Sequence, residues 1–284
     1  MARATRVNAK QPKLGQNLLA DPRAAERIVD ALGDLSHSTV VEIGPGRGAL
    51  TELLAQRARR LIAVEVDRLL AAQLGLRYAR QENVEIIEAD ILSVDLSSLI
   101  GIEPSQLVPR RVAGKAIVVG NIPYYITSPI LMRLFTFADR IERIVILVQR
   151  EVAARIAAGP GSRDYGVLSA TTQLYARVEK LFTLPPGAFS PPPKVHSTLL
   201  RLTICPRDGE LGISAGEFVE FLKLCFGQKR KTLLNNLKSR YGESAVLRAI
   251  AEAGIRRDVR AEALSLEKTA AVFRRLRHAA STSA

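Results

Sequence analysis

The chain has 284 residues, enough for one large domain with a full core and a smaller appendage. Forty-one Lys and Arg against 28 Asp and Glu give a formal charge of +13, which favours a polyanionic partner and salt-sensitive binding. The two cysteines, Cys205 and Cys225, form no CxxC and stand beside no His pair. They therefore support neither a zinc site nor a disulfide framework, and read as buried thiols in a reducing cytosol.

The first ten residues contain no apolar signal core, and no apolar run approaches the ~20 residues that span a bilayer. A cytoplasmic protein without a membrane partner is expected. Along the chain, β-branched and apolar runs predict strands at 40–43, 61–65, 84–88, 116–119, 144–148, 176–182 and 198–203. Helix-length segments separate most of them, the pattern of a parallel sheet covered on both faces. A Pro/Gly-rich loop instead of a helix joins the last two, so they could form an antiparallel edge.

The first strand runs into Gly44-Pro45-Gly46-Arg47-Gly48-Ala49. Glycines at the carboxyl end of a strand let the backbone approach a ligand closely, where open α/β sheets bind nucleotides. Gly44, Gly46 and Ala49 satisfy G-x-G-x-x-G/A, so an NAD enzyme stays open at this point. Glu65 ends the second strand at the distance where an acid accepts ribose hydroxyls, which suits NAD and S-adenosylmethionine alike. Asp90 follows the third strand and could accept a bond from a cofactor's adenine amine. It could equally cap a helix before Ile91.

Asn121-Ile122-Pro123-Tyr124-Tyr125 follows the fourth strand. An amide oxygen and a turn carbonyl can together accept both hydrogens of an aromatic amine, while a neighbouring ring stacks on the base for roughly 1–3 kcal/mol. Pro123 fixes φ near about −65° and offers no N–H, so the carbonyls around it are presented at a set angle. The switch point of the sheet brings Gly44, Glu65, Asp90 and Asn121 to one crevice. Hydride transfer has no evident site: His37, His196 and His278 are scattered and read as surface or packing residues.

After Pro206 the periodicity is helical only, which sets a boundary within 204–210 and domains of 1–205 and 206–284. Ser214-Ala215-Gly216-Glu217 is a capping box ahead of Phe218, Phe221, Leu222 and Cys225. Three more helices follow around Leu233–Leu237, Val246–Ile250 and Leu266–Leu276. Lys229, Arg230 and Lys231 are placed on a helix, so they cannot share one face and at least one meets solvent or phosphate; a solvated face is the equal alternative. Lys10, Lys13, Arg150 and Arg163 are weaker candidates, and the loops 100–114 and 159–163 are contact surfaces or plain connections.

With these residues in hand, the chain resembles the ribosomal RNA adenine dimethyltransferases of the bacterial small-subunit type. The likeness runs through residues 11–19, 42–51, 65–67, 88–92, 121–125, 148–153, 189–197 and 226–233. Leu18 departs from it where Phe is common, and His196 where a small polar or acidic residue is usual.

The resemblance implies an α/β, Rossmann-like class I S-adenosylmethionine-dependent methyltransferase sheet with a small all-α C-terminal domain that contacts RNA. It implies that Asn17 and Leu19 close over S-adenosylmethionine, with Gly44, Gly46, Glu65, Asp90 and Asn121 beneath it. Asn121 and the Ile122 carbonyl then hold the target amine at the turn set by Pro123. Tyr124 stacks on the adenine, Phe189 closes the opposite face, and Lys229, Arg230 and Lys231 meet ribosomal RNA. The implied reaction is dimethylation of the 6-amino groups of two adjacent adenosines near the 3′ end of small-subunit rRNA, by a monomer, without a metal, during ribosome biogenesis. A large-subunit rRNA methyltransferase and a non-catalytic assembly factor are the other two readings.

Overall fold

The computed structural model describes residues 17–103, 110–111 and 114–281. Seven strands form the main sheet: β1 (Thr39–Ile43), β2 (Arg60–Glu65), β3 (Val84–Glu88), β4 (Ala116–Asn121), β5 (Ile141–Gln149), β6 (Ala176–Leu184) and β7 (Ser197–Ile204). Their spatial order is β3-β2-β1-β4-β5-β7-β6. The first five are parallel. β7 runs antiparallel to both β5 and β6, so the last strand of the chain inserts between them.

Successive residues of a strand face opposite sides, and here both sides are apolar. Val40, Leu61, Ile117 and Val119 face a layer built by α1 (Pro22–Asp30), α2 (Thr51–Arg57) and α3 (Arg68–Tyr78). Val41, Ile62, Val118 and Ile146 face α4 (Leu96–Gly101), α5 (Thr127–Phe135) and α6 (Arg150–Ile156). The helices start at polar caps: Asp21 accepts from the Arg23 amide ahead of α1, and Asp67 accepts from Leu69 and Leu70 ahead of α3. Gly120 is required where β4 meets β1, because a Cβ there would lie 2.8 Å from the Ile43 carbonyl oxygen.

Beyond Ile204 only helices follow: the short α8 (Asp208–Leu211), then α9 (Ala215–Cys225), α10 (Leu233–Tyr241), α11 (Glu243–Glu252) and α12 (Leu266–Ser281). The Phe273 ring lies 5.4 Å from Phe218 and 5.2 Å from Phe221. This core also takes in Ala170 and Leu174 of α7 (Val167–Tyr175) and the buried Tyr165, whose ring meets Phe226 edge-on at 5.8 Å. The two parts of the chain thus share packing across the point where the sheet ends.

Three expectations need correction. Lys229–Lys231 are not helical; they occupy the turn between α9 and α10, because α9 stops at Cys225 and Thr232 caps α10 by accepting from Asn235. The Ser214 side chain makes no capping bond, and the Glu217 carboxylate, the other half of the box, is paired with Arg277 on α12. Cys225 is buried, and burial holds its thiol protonated, but Cys205 is exposed just past the end of β7. His37, His196 and His278 are all exposed. Residues Gln11–Gln16 of the first motif, Lys10 and Lys13, and Pro104 and Pro109 lie outside the described residues. Within that second loop, Ile102–Glu103 pairs with Arg110–Arg111.

Candidate active site

The turn after β1 is built from backbone that only glycine adopts readily: Gly44, Gly46 and Gly48 have φ of 63°, 59° and 86°. Gly44 donates to the Val64 carbonyl at 2.9 Å, which ties the turn to β2. Glu65, the last residue of β2, is fully buried and bridges two neighbouring elements. One carboxylate oxygen accepts from the Gly46 amide and the other from the Asp67 amide, each at 2.9 Å. Each oxygen keeps a second lone pair, so the carboxylate can also accept from a pair of hydroxyls.

Glu42, on β1, sits beneath the same turn and is 1% exposed. Its carboxyl accepts from the Thr51 hydroxyl at 2.7 Å. Burial, reinforced by the Glu65 charge and only partly opposed by the Thr51 bond, pushes its pKa up to about 8. The crevice floor therefore carries an acid, Glu42, that is neutral at pH 7. Sequence reasoning assigned Glu42 no role, although an acid inside the run Thr39-Val40-Val41-Glu42-Ile43 was the available signal.

Asp90 is exposed past β3, where its side chain accepts from the Leu92 amide at 2.9 Å and its carbonyl accepts from Ser93 and Val94. Asp90 therefore opens a turn rather than capping a helix, since the next helix begins only at Leu96; the turn uses one carboxylate oxygen and leaves the other for a ligand. Val66, directly after Glu65, is 54% exposed, an apolar surface next to the strand tip to which the sequence assigned no role.

Asn121 ends β4 and is half-buried. Its Nδ2 donates to the Asn17 carbonyl at 2.8 Å. A carbonyl can only accept, so the amide nitrogen faces Asn17 and Oδ1 is turned away from it. Ile122 is buried and donates its amide to Leu147 of β5 at 3.3 Å. Pro123 leads into a 3-10 turn, Tyr124–Ile126. The Tyr124 side chain lies outside the described residues, whereas Tyr125 is 65% exposed.

A short ribbon roofs the crevice. Leu18 and Leu19 pair with Ser190 and Phe189, and the Ala20 amide donates to Ala188 at 2.9 Å. Leu18, Leu19, Glu42, Gly44, Pro45, Arg47, Ala49, Leu50 and Asn121 line the space beneath. Leu18 packs so closely on the turn that a Cβ on Gly46 would lie 2.7 Å from its Cδ2. Phe189 is buried among Leu19, Phe182 and Leu184 rather than facing the crevice, so its ring reaches a ligand only if the ribbon shifts.

The structure thus brings Asn17, Leu19, Gly44, Gly46, Glu42 and Asn121 together around one crevice, with Glu65 hydrogen-bonded beneath the turn. The basic residues form a separate surface. Lys229 donates its ammonium to the Arg163 carbonyl, joining the two loops that charge and composition had singled out, while Arg230 and Lys231 are exposed. Asn236 braces this turn through Nδ2, which donates to Cys225 at 2.7 Å and to Gln228 at 3.2 Å. Among the described residues no cluster of three or more His, Cys, Asp or Glu could hold a metal ion, and no helix is long and apolar enough to cross a membrane.

Comparison with known proteins bears on this arrangement. Residues 7–278 match the family model described as ribosomal RNA adenine dimethylase. The chain is 58% identical over 271 residues to the ribosomal RNA small subunit methyltransferase A of Koribacter versatilis, covering 95% of each chain. It is 57% identical over 267 residues to the protein of the same name from Acidobacterium capsulatum, covering 94% of this chain and 91% of that one. Among solved structures, a dimethyladenosine transferase from Plasmodium falciparum superposes with a TM-score of 0.71 at 23% identity, over 92% of this chain and 98% of that one, a likeness of fold. The 23S rRNA methyltransferase ErmE superposes with a TM-score of 0.64 at 28% identity, over 92% of this chain and all of that one.

Proposed function

This chain belongs to the ribosomal RNA adenine dimethylase family, and from that premise we propose that it dimethylates the 6-amino groups of two adjacent adenosines near the 3′ end of small-subunit rRNA. It is an rRNA adenine dimethyltransferase with S-adenosylmethionine as methyl donor. The small-subunit reading rests on the two relatives of that name at 58% and 57% identity, against 28% for the large-subunit enzyme. The same reading has it act as a cytoplasmic monomer, without a metal, in ribosome biogenesis.

The crevice suits the donor chemically. Close-approach glycines at a strand tip and a buried carboxylate with spare lone pairs fit a nucleoside, and Val66 offers its base an apolar surface. Glu65 would hold the ribose hydroxyls, Asp90 the adenine amine, and Asn17, Leu19, Gly44, Gly46 and Asn121 the remainder. S-adenosylmethionine supplies, when bound, a methyl carbon on a sulfonium sulfur that an amine can take with loss of a proton.

The 6-amino nitrogen of adenine is a poor nucleophile, because its lone pair is delocalised into the ring. The observation that carries the assignment is the orientation of Asn121: Asn17 holds Nδ2, which directs Oδ1 elsewhere as an acceptor. Accepting one amine hydrogen there and the second at the Ile122 carbonyl favours a pyramidal nitrogen with its lone pair aimed out of the ring plane. The released proton passes to water. Tyr124 stacks on the base, which must be unpaired or extruded to enter, and Phe189 closes the opposite face once the ribbon has shifted. Lys229, Arg230 and Lys231 engage phosphates.

The test uses small subunits from cells lacking this activity and labelled donor, with wild type and Asn121→Ala. Label on two adjacent adenosines with the wild type, and a loss of at least about a hundredfold in the variant, is the expected result. Equal transfer by both proteins would overturn the assignment of Asn121.

A further inference from the structure

At the end of α10 remote from the Lys229–Lys231 turn, helices α10, α11 and α12 enclose a groove of about 510 Å³. Arg240, Arg248 and Arg275 line it, one from each helix, and Glu252 is the only acid among its lining residues. Arg275 is fixed in place. It donates to the Ala271 carbonyl at 3.1 Å and the Glu252 carbonyl at 2.9 Å, and its Nε lies 3.3 Å from the Glu252 carboxylate. That carboxylate balances one charge. Arg240 and Arg248 are exposed and have no carboxylate partner among the described residues. Tyr241 and Ser244 add hydroxyl groups to the wall.

Two uncompensated guanidiniums around one fixed guanidinium suit oxyanions, which they can engage through paired N–H donors. The groove is too large for a single ion and presents three guanidiniums against one carboxylate, so a chain of anionic groups fits it better than an apolar segment. Charge points the same way. Residues 206–284 carry 15 Lys and Arg against 9 Asp and Glu, so little more than a quarter of the length holds +6 of the +13. The nine residues of α10 span ~13 Å between the basic turn and this groove, a distance one RNA segment can bridge.

We propose that the Arg240–Arg248–Arg275 groove binds the phosphodiester backbone of ribosomal RNA, a second grip on the substrate outside the active site. The proposal rests on rRNA being the substrate. Its energy comes from phosphate neutralisation with release of counterions, so it affects affinity and salt dependence rather than the methyl-transfer step.

The experiment measures binding of protein-free, unmethylated small-subunit rRNA from about 50 to about 200 mM KCl. It compares wild type with Arg240→Gln/Arg248→Gln and Arg240→Lys/Arg248→Lys. The Gln pair should bind about tenfold more weakly at the middle of that range, with a salt slope shallower by about 1 to 2, and the Lys pair should retain most of the affinity. Cofactor binding and melting temperature should be unchanged in both, since the two side chains are exposed. Unchanged affinity and slope in a Gln pair that folds would overturn the proposal. So would a loss seen only with protein-containing subunits, which would assign the groove to an acidic ribosomal protein. Wild-type methyl transfer, assayed in parallel, reports separately on the proposed function.

Discussion

Replacing Glu42 by Gln tests whether the crevice floor holds a neutral acid. In the unfolded chain this carboxyl ionises near its ordinary value of 4.5, whereas in the fold burial pushes it up to about 8. Between those values the folded state holds one more proton than the unfolded state. The stability contributed by this group is therefore complete below about pH 4.5 and is lost as pH rises to about 8, a total of about 5 kcal/mol. From about pH 6 to about pH 9 the part still to be lost is about 3 kcal/mol. Gln cannot ionise and keeps an oxygen to accept the Thr51 hydroxyl, so its stability lacks this slope. Urea unfolding without cofactor, at several pH values, should show the variant gaining about 3 kcal/mol on the wild type across that interval. By thermal melting, the gain is about 6 °C at roughly 2 °C per kcal/mol. Taking the difference between the two proteins cancels the other groups that titrate there. Parallel stability profiles would mean that Glu42 is ionised in the fold, and would refute the reasoning.

Other substitutions probe other links. Gly120→Ala should destabilise the fold by about 2–3 kcal/mol, visible as a lowered melting temperature, because its Cβ would meet backbone rather than a mobile side chain. Tyr124→Ala should lower methyl transfer at least about tenfold while calorimetry shows cofactor affinity nearly unchanged, if its role is stacking on the base. Asn236→Ala releases the Cys225 and Gln228 carbonyls that shape the basic turn. Affinity for unmethylated small subunits should fall several-fold and cofactor binding should hold.

The strand tips were legible because buried parallel strands are continuous apolar runs, and each run ended on a residue with distinct chemistry: Gly44, Glu65, Asp90 and Asn121. The strand inserted between β5 and β6 was less so; the sequence showed that a helix was missing but not which neighbour the strand would choose. Lys229–Lys231 misled because consecutive charges read as helix, while the break at Gly227 and the cap at Thr232 were weaker signals. Ser214 had the right spacing for a capping box, but a partner 60 positions away took its Glu217. Leu18 packed on Gly46, Tyr165 in the helical core and the Asn17–Asn121 bond all join distant segments. No local pattern encodes them.

The buried Tyr165 and α7 have a mechanical consequence. Because side chains from the catalytic half are embedded in the helical half, the two are bound by interior packing rather than by a linker alone, and cutting the chain after residue 205 would strip the cover from Tyr165, Ala170 and Leu174. A body of this kind works as a caliper. One jaw is the basic turn that Lys229 fastens to Arg163, the other is the tip of β4, and the span between them is set when the protein folds. If the basic turn and Asn121 hold the RNA as proposed, the fixed span between them selects the nucleotide by its distance along the strand.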